Sequence, residues 1–204
     1  GAPQVLDDFF YNFKNTVYLS ANSAFDPKDR SVNFLKAGLT YERHTIEYLP
    51  IDSNFSLLKL FGKGQWDLAG LAGIEASGYY LLNSLNPIFN LEGKLKGKIK
   101  KVVDVEAWLQ IRNNPPEFLY ENFHINSSPV YQKDGDNIFH TYFGGKVHFP
   151  FLNLGASLHQ NIINNYTYYD DFWMMQQINE ATSVTCISAN YKLKVGSFHL
   201  DNDV

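Results

Sequence analysis

The chain lacks most of what would mark an enzyme or a disulfide scaffold. Of its 204 residues only one is cysteine, Cys186. One cysteine excludes an internal disulfide and any multi-cysteine zinc site. No run of about 20 apolar residues is present, so the sequence encodes no transmembrane helix. That absence leaves a membrane-spanning β-barrel open, because barrel strands carry a much weaker signal. Gly1-Ala2-Pro3-Gln4 has no charged-then-apolar signal pattern. A formal net charge of -4 gives no basic footprint for nucleic acid. Phosphate-binding loops, dinucleotide fingerprints and the Gly-x-Ser-x-Gly elbow are all missing. His44 and Glu47 lie three apart, which puts them on opposite faces of a strand. His140 and His148 share a face but stand roughly 26 Å apart when extended. Neither pair forms a metal site. The sequence points to no catalytic residue, no metal and no cofactor.

Aromatic residues are abundant, at 16% of the chain, and such an excess favours strands and interfacial positions. Asn90 to Arg112 is the most regular stretch. Its odd positions run Leu91, Gly93, Leu95, Gly97, Ile99, Lys101, Val103, Val105, Ala107, Leu109 and Ile111. Its even positions include Glu92, Lys94, Lys96, Lys98, Asp104, Glu106, Trp108 and Arg112. Alternation of period two is the signature of a sheet with one apolar face. The stretch is one very long strand or two strands meeting at a turn that the sequence does not mark.

Similar alternation recurs along the chain. Ser31–Tyr48 reads as a strand whose phase slips near Ile46, as at a bulge. Ser56–Phe61 reads as a short strand, with Gly62-Lys63-Gly64 as a turn before a further strand that begins near Trp66. Strands follow over 138–149, 152–159 and 184–195. Residues 117–137 read as irregular, and 164–180 as an aromatic loop containing Tyr168, Tyr169 and Trp173. Residues 1–30 fit a short helix, a strand or a plug. Strands succeed one another without intervening helices, which excludes parallel α/β folds and predicts a single all-β domain over 1–204, an antiparallel meander. The chain stops within a strand starting at Phe198, so the expectation is a segment of a longer protein.

Gly155–Tyr166, Tyr191–Val204 and Asn113–Phe123 carry phrases that resemble the putative porin family of Bacteroidetes-type outer membranes. The resemblance implies an outer-membrane β-barrel longer than this chain, in contact with lipid and with other barrel strands or subunits. It implies passive diffusion of small solutes, with no cofactor. Glu92, Lys94, Lys96, Lys98, Asp104, Glu106 and Arg112 would then line the pore. Trp66, Trp108, Tyr168, Tyr169 and Trp173 would contact ligand or sit at the membrane interface. Periodicity alone also accommodates a soluble β-sandwich or barrel, periplasmic or secreted, that binds a carbohydrate or lipid. An adhesion or surface-assembly subunit is a third reading.

Overall fold

The computed structural model describes residues 9–22, 33–48, 51–68, 71–99, 102–116, 122–125, 128–132, 135–172, 174–195 and 198–203. Every regular element among them is a strand. They are β1 (Phe9–Asn22), β2 (Phe34–Tyr48), β3 (Ile51–Leu68), β4 (Ala72–Leu81), β5 (Phe89–Ile99), β6 (Val103–Asn114) and β7 (Asn122–Ile125). The series continues with β8 (Ser128–Gln132), β9 (Ile138–Phe149), β10 (Leu154–Asn164), β11 (Tyr166–Tyr169), β12 (Met175–Ile178), β13 (Thr182–Val195) and β14 (Phe198–Asp203). Ten form one sheet in the order β1-β2-β3-β4-β5-β6-β9-β10-β13-β14. Each pairs antiparallel with its neighbours. β7–β8 and β11–β12 are separate hairpins, inserted after β6 and β10. Among the described residues β1 and β14 each have one sheet neighbour, so the meander is open.

The Asn90–Arg112 ribbon is two strands. Residues 100–102 join β5 to β6, and Val102 N–H donates to the Ile99 carbonyl at 2.8 Å. The link returns odd positions opposite odd ones, Leu95 facing Ala107 and Leu91 facing Ile111. Parity therefore survives the reversal, and the alternation lapses only within it, at Lys101 and Val102.

Residues 9–22 form a strand, one of the readings the sequence left open, and its backbone pairs along its whole length with β2. Two expectations are corrected. The β2 registers against β1 and β3 run unbroken from Phe34 to Tyr48, so there is no bulge near Ile46. Gly62 and Gly64 lie inside β3 and make no turn, since both neighbouring strands pair across them. Gly64 is instead where the Trp66 indole lies, in space that a side chain would fill. The irregular 117–137 stretch contains the β7–β8 hairpin, and the aromatic loop contains β11–β12.

A sheet normally buries one face against a second layer. Here no second layer covers either face among the described residues. The buried apolar side chains are Leu81, at the end of β4, and Met175, in the β11–β12 hairpin. The register puts Val17, Leu39, Leu60 and Tyr80 in one row of one face. Leu95, Ala107 and Gly145 lie on that same face, followed by Leu158 and Ile187. Val17 is 78% exposed, Leu95 54% and Ile187 77%.

Candidate functional site

Strand alternation sends the polar residues to the opposite face. All seven charged residues expected from the sequence at one surface do lie there: Glu92, Lys94, Lys96 and Lys98 on β5, and Asp104, Glu106 and Arg112 on β6. Rows can be followed across five strands. Lys96 lies beside Glu106, then Lys146, Ser157 and Ser188. Lys94 lies beside Trp108, then Gly144, His159 and Cys186.

Ion pairs cross these rows. Glu106 receives Lys94 Nζ at 2.8 Å and Lys146 Nζ at 3.5 Å, one from each flanking strand. Glu42 on β2 is built the same way, with Lys14 at 3.0 Å from β1 and Lys59 at 2.6 Å from β3. His44 Nε2 is 3.5 Å from the same carboxylate. Lys96 pairs with Glu75 of β4. His148 Nδ1 stands 3.8 Å from Asp104. Glu92 accepts from Asn90 Nδ2 and Gln110 Nε2, both at 2.8 Å. Arg112 lies directly opposite His140, whose imidazole bonds Asn161. Two lysines around one carboxylate, at Glu42 and again at Glu106, leave a positive excess on those parts of the face.

The sequence reading did not single out Lys14, Glu42, Lys59, Glu75 or Lys146. The signal was available. Once strand parity is fixed on the 90–112 ribbon, the same polar parity on the neighbouring strands selects them.

The expected aromatics divide between environments. Trp66 is on the apolar face, and Trp108 is on the polar face with its neighbours Tyr142 and His159. The Trp108 and Tyr142 ring centroids are 6.3 Å apart. Tyr168 and Tyr169 lie in β11, where Tyr168 stacks on Tyr166 at 6.3 Å. Trp173 lies outside the described residues. Further rings mark the ends of the apolar face. Phe89 and Phe139 meet at 6.5 Å at one end, and Phe149 and Phe151 at 6.4 Å at the other.

The β11–β12 hairpin packs on the approach to β9. Gln177 accepts from Asp136 N–H at 2.9 Å and donates back to the Asp136 carbonyl at 2.8 Å. Asn165 donates to the Asn137 carbonyl at 2.8 Å. Asp170 Oδ1 accepts from Phe172 N–H and Met174 N–H, both at 2.9 Å, and its Oδ2 accepts from Gln176 at 3.0 Å. The Met174 bond, then those from Gln176 and Phe172, hold the Asp170 carboxyl below its ordinary pKa against a smaller opposing effect of desolvation.

Comparison with the curated proteins and with the solved structures found no match. Comparison with protein families found one described as "Putative porin", whose model matches residues 7–204. With an antiparallel meander that leaves its apolar face uncovered and gathers most of its charges on the other, the chain belongs to that porin family.

Proposed function

We propose that this chain forms part of the wall of an outer-membrane β-barrel through which small solutes diffuse passively. The observation that carries the reading is the separation of the two faces. One is apolar, uncovered and continuous across the sheet, and the other is crossed by ion pairs. A soluble sheet with this apolar face would need a second layer, whereas lipid covers it without one. The dimensions agree. β5 runs for ten steps from Phe89 to Ile99. At about 3.3 Å per residue and a tilt of about 40°, that spans about 25 Å, the height of the apolar band of such barrels. Rings at both ends of the face suit the two interfaces.

Glu92, Lys94, Lys96, Lys98, Asp104, Glu106 and Arg112 then face the lumen. Passage needs no cofactor and no covalent step. The lysine pairs around Glu42 and Glu106 favour anions locally, while Glu92 and Asp104 oppose them.

The test is to refold the chain with and without detergent and to follow circular dichroism and size-exclusion chromatography. Aggregation that detergent cures is the expected result. A monodisperse β-rich species without detergent would overturn the reading. Leu95→Arg sharpens the comparison. Facing lipid near mid-height it should cost about 2–4 kcal/mol of folding stability in bilayers. A cost within about 0.5 kcal/mol, usual for an exposed site in water, would also overturn it.

A further inference from the structure

The polar face contains a cavity of about 420 Å³ between β3, β4, β5, β6 and the Tyr142 ring of β9. We infer that it is a binding site for a neutral pyranose-sized sugar. The inference rests on the lumen-facing reading of this surface and names the class of solute that pauses there.

The floor is aromatic. Trp108 lies over Gly144, and a Cβ there would come within 2.8 Å of indole Cζ2. The indole is thereby laid along the sheet, beside Tyr142 at an interplanar angle of 35°. Its Nε1 is buried without a hydrogen-bond partner among the described residues. The ring's hydrocarbon surface, rather than its donor, is left to the cavity. A flat apolar surface of this kind matches the C–H face of a pyranose.

The perimeter is polar and balanced. Lys63 and Glu75 approach from β3 and β4, and Glu92 and Lys94 from β5. Two cations and two anions give no preference for a charged solute. Lys63 and Gln65 have no hydrogen-bond or ion-pair partner among the described residues, so their donors are available. The Gln110 amide and the Glu92 carboxylate supply further capacity at the rim. An aromatic floor with planar amides and charges around it orients a ring whose faces are apolar and whose edge carries hydroxyls.

The test uses the full chain in detergent micelles and saturation-transfer NMR with three probes: glucose, glucuronate and glucosamine. Glucose should bind, with the strongest transfer at its ring C–H protons, and both charged sugars should bind more weakly. Trp108→Ala should weaken glucose binding about tenfold, and Trp108→Phe should retain most of it. Lys63→Met keeps the aromatic floor and removes an exposed, unpaired side chain, so it should fold and still lose affinity. No binding of glucose by the wild type, preference for a charged sugar, or unchanged affinity in Lys63→Met would each overturn the inference. Binding in micelles requires no conduction. A parent barrel that contains this chain and binds glucose but leaves liposomes impermeable would keep this site and remove the diffusion reading.

Discussion

Lys94 and Glu106 form a 2.8 Å ion pair although they do not face each other in the strand register. Lys94 stands opposite Glu75 on one side and Trp108 on the other. Lys96 stands opposite Glu106 yet pairs with Glu75. The two lysines have exchanged carboxylates. Long side chains lean along the strand and reach diagonal neighbours as readily as direct ones. Each lysine thus ties β5 to a different strand, Lys94 to β6 and Lys96 to β4.

Glu106→Gln tests the proposed lumen-facing role of this exchange. It removes the shared partner of Lys94 and Lys146 and frees two ammonium groups. In planar bilayers holding the parent barrel, the reversal potential should move toward anion preference. Replacing Lys94, Lys96 and Lys98 together by Glu should move it the other way. Unchanged potentials in both variants would count against a lumen-facing cluster.

Glu42 offers a comparison of burial with exposure. Its side chain is 8% exposed, and that of Lys14 is 59% exposed. Glu42→Gln leaves Lys59 without its acid in a mostly buried setting and should cost about 3 kcal/mol. Lys14→Gln breaks only the exposed half of the bridge and should cost about 0.5 kcal/mol. Urea titration of the refolded protein in lipid measures both. Equal losses would mean that burial does not set the strength of this network.

Gly144 and Gly93 should respond unequally to the same change. A Cβ at Gly144 meets the His159 Cβ and the Leu158 carbonyl, both at 2.6 Å, whereas at Gly93 it meets nothing within 4 Å. Gly144→Ala should cost about 1–3 kcal/mol and shift tryptophan emission as the indole is displaced. Gly93→Ala should stay within about 0.5 kcal/mol of the parent. Identical stability and emission in both variants would refute the packing of Trp108 over Gly144.

Asp170 predicts a pH dependence confined to one turn. Its folded pKa is depressed below the unfolded value. Its contribution to stability is therefore complete above the ordinary carboxyl range and is lost as pH falls through the folded value. Amide exchange at Phe172 and Met174, compared with the global average, should accelerate under acid. Asp170→Asn should show faster exchange already at neutral pH and little further pH response. A wild-type turn that tracks the global average at every pH would remove this role.

The fold was legible wherever charge and apolarity alternate cleanly. Leu91 to Ile99 and Val103 to Ile111 each declare a two-faced sheet. The sequence marks the β5–β6 reversal only by the lapse at Lys101 and Val102, because neither proline nor glycine stands at residues 100–102 and the same parity resumes after it. Gly62-Lys63-Gly64 misleads for the opposite reason. Gly64 makes room for Trp66, whereas a Cβ at Gly62 would meet only the Lys36 carbonyl at 4.0 Å, and a local pattern cannot separate either case from a turn. The seven charged residues on β5 and β6 were legible as one face. Their partners were not, because Glu42, Glu75 and Lys146 come into reach only through the order of the strands.

The two longest connections that follow β5, 115–137 and 165–181, leave the sheet at one end, while 100–102, 150–153 and 196–197 close it at the other. In the barrel wall proposed above, this asymmetry puts the short links at one mouth and the β7–β8 and β11–β12 hairpins at the other, so an arriving solute meets a different surface at each end.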